Sequence, residues 1–457
     1  MTENNGVLKS PISRKLGSIE SCHLMGENLL HTNIVIYGTV HASIDESRFR
    51  HALNKIQIKH PLLNAFIKPS YFRKPVFIMD SAPSEIPIAI MEAPYDKREG
   101  VIEDILNTIF PINKSPLMRS FIIKHPGDAT TIALYMSHTI ADGFSGLRIM
   151  GSLLNILDKS EKETLSEHSE PAMPEAAESY FPKRTRGLNG LLNYLKLNMK
   201  LISDISSSPK QTLPSPQTDA PVDKRRMIFT NRVLSRNETL MIRKRAREEN
   251  TTVNAAITAA HFIALSEECE RCENRLPSFR SMVIMSNIDL RRRLKNSHDE
   301  VLTDFASIAN NLVSADSKSN FWDIARNYQE SLVTSIKEDE PFLHVFFQKI
   351  MWFVTGWSGF NTRASMLLNR VMSKFEQKMT LVSNVGVVDL GPKEGKYKLI
   401  FFAGLSSSRM SQTILSITLS LNGELIWTVI GNHPIHSRDR LERLAERMTE
   451  LIRLMAS

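Results

Sequence analysis

A polar interruption at the end of an apolar segment constrains this chain more than any other feature of its sequence. Residues 131–136 (Thr-Ile-Ala-Leu-Tyr-Met) are predominantly apolar, which predicts a buried β-strand. Ser137 and His138 end this run, and Asp142 and Gly143 follow. Gly143 can adopt backbone angles closed to other residues, so we expect a sharp turn there. The pattern predicts a strand that delivers His138 to its end, with Asp142 folded back beneath it.

This arrangement makes His138 the candidate general base. An unperturbed imidazole titrates near pH ~6.5, so it can accept a proton without extreme tuning. Asp142 is the candidate carboxylate that fixes the ring or its loop. The His-x-x-x-Asp spacing alone is equally consistent with a structural histidine. The abrupt end of the apolar strand, followed by Asp-Gly, favours an active site.

Other chemistries fit the sequence less well. There is no P-loop and no G-x-G-x-x-G, and Gly143-Phe144-Ser145-Gly146 is one residue too short for a nucleophile elbow. The sequence places no third ligand beside His138 and Asp142, and the Cys269/Cys272 pair has no partner pair, so we expect no metal site. The basic runs are not interleaved with aromatic residues, which argues against nucleic acid as a partner.

The length of 457 residues indicates two domains. Residues 159–222 are rich in Ser, Pro, Glu and Lys, which predicts a linker or crossover between an amino-terminal lobe at 1–158 and a carboxy-terminal lobe at 223–457. The formal net charge of +8 is consistent with ordinary surface chemistry. We expect a reduced, cytoplasmic protein, because three cysteines cannot form a disulfide framework and no signal peptide or spanning helix is evident.

Short runs rich in β-branched and apolar residues, and apolar residues at helical spacing elsewhere, predict a mixed α/β fold with hairpins. A capping-box signature at Ser43 and Glu46 predicts the start of one helix. Apolar residues inside the linker predict an embedded amphipathic helix, which packs on the body or contacts a membrane. The apolar segment 341–360 predicts a core helix or the wall of a hydrophobic substrate site. The predicted strands are 32–40, 62–67, 76–79, 116–123, 227–234, 281–285, 379–385, 397–404, 412–420 and 424–430.

The sequence Ser137-His138-Thr139-Ile140-Ala141-Asp142-Gly143 resembles the HHxxxDG motif of the chloramphenicol acetyltransferase-like superfamily. That group includes condensation domains, alcohol acetyltransferases and phthiocerol dimycocerosyl transferase-like enzymes. Further marks occur in family order from about residue 11 onward. They are Arg14–Glu20 (R-x-L-x-x-x-E), His60–Leu63 (HPLL), Pro116–Arg119 (PLxR), Thr252–Ala256 (TVNAA, with Asn254), Ile288–Leu294 (VDLRxRL) and Ser383–Gly386 (SNxG, with Ser383 and Asn384).

The resemblance implies two acetyltransferase-like lobes that meet in a V around a central tunnel. His138 would deprotonate the acceptor, and Asp142 would form a structural salt bridge with Arg291. Gly143 would support the active site, and Arg119, Asn254, Ser383 and Asn384 are tunnel or motif candidates together with Ser137. The donor would be acyl-CoA or an acyl-phosphopantetheine carrier protein, with no tightly bound cofactor and no acyl-enzyme.

The chain departs from the motif at Ser137, where the family has its first histidine, and it lacks the DFGWG sequence of plant acyltransferases. We predict a stand-alone, monomeric acyltransferase of lipid or secondary metabolism that acts on a small, hydrophobic acceptor, more readily at oxygen than at nitrogen. Peripheral contact with a membrane is compatible with this function. The alternative is a non-catalytic relative that binds an acyl carrier or a lipid, and Ser137 is the feature that supports it.

Overall fold

A computed structural model gives the structure of the chain. It describes residues 13–456 apart from 31, 71–73, 110, 160–171, 209–212, 274–279, 296–297, 299, 316–318, 356–378, 407–408 and 410–411. The strands are β1 (Ser13–Lys15), β2 (Asn33–His41), β3 (Ala65–Lys68), β4 (Val76–Met79), β5 (Ile88–Glu92), β6 (Met118–Lys124), β7 (Ala129–Ser137), β8 (Arg226–Leu234), β9 (Arg280–Asp289), β10 (Ala306–Ala315), β11 (Met379–Val388), β12 (Leu399–Ser406), β13 (Leu415–Leu421) and β14 (Glu424–His433).

The helices lie against these strands and supply the apolar faces that cover them. They are α1 (Ser18–Leu30), α2 (Glu46–Lys59), α3 (Arg98–Leu106), α4 (Gly143–Asp158), α5 (Gly187–Ser207), α6 (Arg236–Glu248), α7 (Val253–Glu273), α8 (Phe321–Lys337), α9 (Glu340–Leu343), α10 (Val345–Thr355) and α11 (Arg438–Ala456). Among the described residues, no helix is both long and apolar enough to cross a bilayer.

Two larger sheets organise the molecule. The first has the strand order β12-β2-β7-β6-β5, and the second has the order β10-β9-β11-β13-β14-β8. The strand that ends at Ser137 is central in the first sheet and is buried along most of its length, as its apolar sequence predicts. A small sheet of β1, β4 and β3 lies beside them.

The two sheets do not divide the chain at a single point. Strand β12, at residues 399–406, pairs with β2 and so joins the amino-terminal sheet. The lobe boundaries at 158 and 222 remain a prediction. Inside the segment 159–222 the expected amphipathic helix is present as α5, preceded by short 3₁₀ turns.

Two local predictions need correction. Helix α2 is capped by Asp45, whose side chain accepts from the backbone N–H of Arg48, and not by Ser43. The first residues of the predicted strand 62–67 form a 3₁₀ turn at Pro61–Asn64, because the proline begins a helical turn more readily than a strand. Helix α10 ends at Thr355, so Trp357 and Phe360 of the apolar segment lie outside the described residues.

Candidate active site

His138 lies in the loop between β7 and α4, immediately after the central strand of the first sheet. Its side chain is about nine-tenths buried, with a relative exposure of 11%. The loop is short because α4 begins at Gly143, which is capped by Asp142. The sequence therefore places the imidazole at the expected strand end, where little of it reaches water.

The carboxylate that contacts His138 is Asp304, not Asp142. His138 Nδ1 lies 3.1 Å from Asp304 Oδ2, and the Asp304 side chain is fully buried. Asp304 lies in the connection between β9 and β10, two residues before β10 begins, so the contact joins the two sheets. A carboxylate at Nδ1 holds the proton on that nitrogen and leaves Nε2 free to act as a base.

A second histidine shares the same carboxylate. His23 of α1 lies with its Nε2 2.8 Å from Asp304 Oδ2. Its ring stacks on that of His138, with centroids 3.8 Å apart and planes 3° from parallel. Both contacts with Asp304 Oδ2 are close ion-pair contacts rather than well-aligned hydrogen bonds. We call His23, His138 and Asp304 the stacked-histidine cluster.

The charges of this cluster are coupled. Burial alone would raise the pKa of Asp304, but His23 and His138 outweigh it and hold that pKa below its usual value. Burial lowers the pKa of His138, yet the Asp304 carboxylate outweighs burial and leaves the pKa raised. Burial and then repulsion from His138 lower the pKa of His23. The carboxylate therefore stabilises the charged form of His138, and burial with the neighbouring ring stabilises the neutral form of His23.

The same three side chains present potential metal ligands within 4.8 Å of one another. A metal ion lies near the plane of each imidazole that binds it, because the nitrogen lone pair lies in that plane. Two parallel rings stacked at 3.8 Å cannot both meet this condition at one point. As arranged, the stacked-histidine cluster suits proton exchange better than metal binding.

Asp142 supports the site from below. Its Oδ2 lies 2.5 Å from Arg291 Nη1 and accepts from the backbone N–H of Phe305 at 2.8 Å, while its Oδ1 accepts from Ser145 N. Arg291 also donates to the Ser145 hydroxyl and to the Thr303 carbonyl. The structure thus contains the Asp142–Arg291 pair implied by the resemblance, and the pair fixes the backbone on both sides of Asp304.

Gly143 does not play the conformational role expected of it. It is the first residue of α4 and is not among the glycines with a positive φ. A Cβ at this position would meet no atom within 4 Å. The glycine therefore leaves space next to the His138 loop, and the turn itself does not require it.

Ser137, the departure from the family motif, is held by a buried glutamate. The Ser137 hydroxyl donates to Glu27 Oε1 at 2.5 Å, and both the N–H and the hydroxyl of Thr139 donate to the same oxygen, at 2.8 and 2.9 Å. Burial raises the pKa of Glu27 despite these hydrogen bonds. Ser137 and Thr139 lie on either side of His138, so Glu27 fixes the backbone that carries the base.

The remaining predicted residues lie on β6, α7 and β11. Arg119 is on β6, opposite Tyr135 of β7. Asn254, at the start of α7, donates to the Tyr328 hydroxyl. Asn384, next to Ser383 in a bulge of β11, accepts from the backbone N–H of Gly386. Their roles as tunnel or motif residues remain predictions.

The amino-terminal R-x-L-x-x-x-E mark also reaches this site. Arg14 pairs with Glu20 at 2.6 Å, and Glu20 accepts from the hydroxyl of Thr303 at 3.2 Å. Thr303 is the residue before Asp304. The mark therefore connects the first strand with the carboxylate that contacts His138.

Two family models match the sequence. The condensation-domain model matches residues 22–273, more than half of the chain. The chain belongs to the condensation-domain family. The model of the phthiocerol/phthiodiolone dimycocerosyl transferase carboxy terminus matches residues 223–357. Membership of the condensation-domain family confirms the resemblance read from the motifs and supports an acyltransferase-type role. A search of curated proteins finds no match.

Solved structures of the same superfamily share the fold. TRI3 trichothecene 15-O-acetyltransferase from Fusarium sporotrichioides has a TM-score of 0.72 at 14% identity, over 99% of this chain and 97% of that one. Polyketide synthase associated protein 5 from Mycobacterium tuberculosis has a TM-score of 0.66 at 16% sequence identity, over 98% of each chain. The EpoB cyclization-docking bidomain from Sorangium cellulosum has a TM-score of 0.65 at 14% sequence identity, over 98% of this chain and 87% of that one. These likenesses confirm the predicted two-lobed mixed α/β fold.

Sequence reasoning missed Asp304, His23 and Glu27. All three are more than 100 residues from the His138 loop in sequence, so no local spacing marks them. One signal was available for Asp304: it is a lone acid between Leu302 and Phe305, both of which are buried. A buried carboxylate needs a partner, and a histidine at a strand end is a suitable one.

Proposed function

We propose that the protein transfers an acyl group from a thioester to a hydroxyl or amine acceptor, with His138 as the base. The observation that carries the proposal is the contact of His138 Nδ1 with the buried Asp304, which leaves Nε2 as the proton-accepting atom. The geometry is that of an imidazole oriented by a carboxylate, on a loop fixed from both sides by Glu27 and Asp142.

The proposed reaction is a direct transfer. His138 takes the proton of the acceptor while the acceptor oxygen or nitrogen forms a bond to the acyl carbon. The carbon–sulfur bond then breaks, and the departing thiolate receives the proton from the imidazolium. We favour a hydroxyl acceptor, because an alcohol is a weak nucleophile until a base removes its proton. Asp304 stabilises the imidazolium between the two proton transfers.

A cleft beside the site supports a thioester arm as the donor. It has a volume of about 220 Å³ and is lined by Ser145, Arg148 and Leu302 among others. The Ser145 hydroxyl also accepts a hydrogen bond from Arg291, so this cleft borders the Asp142–Arg291 pair beneath the active site. Because typical ligand pockets measure roughly 300–1,000 Å³, this cleft suits part of a donor, such as an acyl or pantetheine arm, rather than a whole coenzyme.

The apolar segment near residue 345 gives limited support for a hydrophobic acceptor. Phe342, Leu343 and Phe346 are buried in one cluster with Phe305, the residue that follows Asp304. These side chains are therefore core for the most part, and only the end of α10 is exposed. They pack close to the backbone that carries Asp304, but they are buried and so do not line an open substrate site.

A non-catalytic relative that binds an acyl carrier or a lipid is the second candidate. The serine at position 137 favours it, because the motif histidine is absent there. The hydrogen bonds from Ser137 and Thr139 to Glu27 weaken that argument, since the loop is held firmly without the first histidine. The two candidates differ in one observable, the release of free thiol.

The deciding experiment incubates the purified protein with acyl-CoA donors of increasing chain length, and with an acyl carrier protein, in the presence of mixed alcohols and amines. We expect thiol release that depends on both the protein and an acceptor, together with a new ester or amide by mass spectrometry. Tight binding of the carrier with no thiol release from any donor would instead establish the non-catalytic function.

A further inference from the structure

Helix α5 presents a continuous apolar stripe to the outside of the molecule. Five large side chains recur at intervals of four, three, four and three residues, which places them on one face of the helix. Their relative exposures run from 45% to 79%. They are Leu188, Leu192, Leu195, Met199 and Ile202. Contiguous exposed apolar surface of this kind marks a contact with another phase or molecule.

The opposite face of the same helix packs on the protein. Leu191, Tyr194 and Leu197 lie against the cluster that contains Phe342 and Phe346, and the ring of Tyr194 lies 6.0 Å from that of Phe346. The helix is therefore anchored through one apolar face, so the outer stripe is not the face that stabilises the fold.

The charged residues of the chain that directly precede and lie along the stripe are basic, and the first acid after it is Asp204 near the end of α5. Residues 183–203 contain Lys183, Arg184, Arg186, Lys196 and Lys200, and no Asp or Glu. Lys196 and Lys200 directly follow the stripe residues Leu195 and Met199 and so border the stripe. Arg184 pairs with Asp339, and Lys200 lies 3.9 Å from Glu338, both at the surface. An anionic surface would complement this edge of the helix.

A second element adds apolar surface next to α5. Phe346 of α10 contacts α5 at Tyr194, and further along α10 the side chains of Ile350 and Phe353 are exposed. Two neighbouring helices that expose large apolar residues beside lysines are typical of an interfacial membrane-binding surface.

We propose that the outer face of α5 binds peripherally to the surface of membranes that contain anionic phospholipids. The stripe would enter the boundary between headgroups and acyl chains, and Lys196 and Lys200 would contact lipid phosphates. A second copy of the chain is a less suitable occupant, because the stripe of α5 is bordered by Lys196 and Lys200 and the helix carries one acid, Asp204, so two copies would bring together more like charges than opposite ones. The proposal is independent of the acyl-transfer reaction.

The test is co-sedimentation of the full chain with vesicles. Vesicles of phosphatidylcholine alone are compared with vesicles that contain about 30% phosphatidylserine, at low and at high salt. We expect tighter binding to the anionic vesicles, weakened by salt because the lysine contacts are exposed to screening. Equal binding to both vesicle types, or no binding to either, would overturn the proposal.

Variants locate the surface. Leu192→Gln with Met199→Gln should weaken vesicle binding by about tenfold or more, since both apolar side chains leave the interface. Lys196→Gln and Lys200→Gln should each weaken binding to anionic vesicles by about fivefold and leave binding to neutral vesicles unchanged. The matched control is Leu240→Gln, an equally exposed leucine on α6 with a relative exposure of 61%, which should bind like the wild type.

Sedimentation velocity separates the membrane from a second copy. The proposal would be contradicted if the wild type dimerised, the Leu192→Gln/Met199→Gln variant were monomeric and neither bound vesicles. That result would assign the stripe to self-association. All these positions are exposed, so we expect each variant to unfold at the same urea midpoint as the wild type.

Discussion

Replacing His138 with alanine is expected to lower kcat/KM for acyl transfer by about a hundredfold to ten-thousandfold, the range usual for loss of a general base. The imidazole lies at the end of β7 and contacts Asp304 at 3.1 Å, so the variant loses the base that this carboxylate orients. The rate would be measured as acceptor-dependent thiol release under saturating donor.

The control for this variant is His51→Ala. His51 is exposed on α2 and far in sequence from the His138 loop, so its loss should leave the rate unchanged. Circular dichroism and urea unfolding would establish that the His138→Ala protein is folded. A folded His138→Ala protein with the wild-type rate would remove His138 from the reaction.

Replacing Asp142 with alanine is expected to lower the free energy of unfolding by about 3–5 kcal/mol, because it leaves the buried Arg291 without its nearest counter-ion and with only the longer contact to Asp289, at 3.4 Å. The side chains of Asp142 and Arg291 are each 1% exposed. The same substitution removes the cap of α4 and the acceptor for Phe305 N–H. Urea unfolding followed by circular dichroism measures the loss.

A surface pair supplies the matched control. Lys59 and Glu300 are 2.6 Å apart, but their side chains are 45% and 78% exposed. Glu300→Ala should therefore cost less than about 1 kcal/mol. Adding Arg291→Met to Asp142→Ala should recover part of the loss, since the buried guanidinium that lost its nearest counter-ion is then removed as well. An Asp142→Ala protein as stable as Glu300→Ala would contradict the buried-pair account.

The sequence was sufficient to predict the elements whose signals are local. The strand ending at Ser137 is a run of apolar residues, and the β13–β14 hairpin turns through Asn422-Gly423, whose φ values of 52° and 87° are those that favour this dipeptide. The partner of Asp142, 149 residues away, was assigned to Arg291 through the family resemblance.

Elements whose buried face is polar escaped prediction. Strand β10 alternates between buried and half-buried positions, but its buried residues are Ser307, Ala309, Asn311 and Val313, so hydropathy does not alternate with them. Helix α4 has a clear apolar stripe and was missed for a different reason, because the Asp142-Gly143 pair at its start predicts a turn. Gly146, unlike Gly143, is required by the close packing of this helix, because a Cβ there would lie 2.6 Å from the Ile36 side chain.

The stacked-histidine cluster could not be predicted because each of its members comes from a different part of the chain. His23, His138 and Asp304 are brought together only by the docking of α1 and of the β9–β10 connection onto the end of β7. The same holds for Glu27, whose bond to Ser137 spans 110 residues. Local patterns locate the base, and tertiary packing decides what orients it.

The pH dependence of kcat/KM in the wild type and in an Asp304→Asn variant tests the central claim most directly. His138 is a base only when neutral, so the rate should rise with pH through a midpoint above the ordinary histidine value, because Asp304 raises the pKa of His138. Removing the carboxylate should move that midpoint to lower pH and reduce the plateau rate. A wild-type midpoint at or below the ordinary value, or one that Asp304→Asn leaves in place, would contradict the assignment of His138 as a base oriented by Asp304.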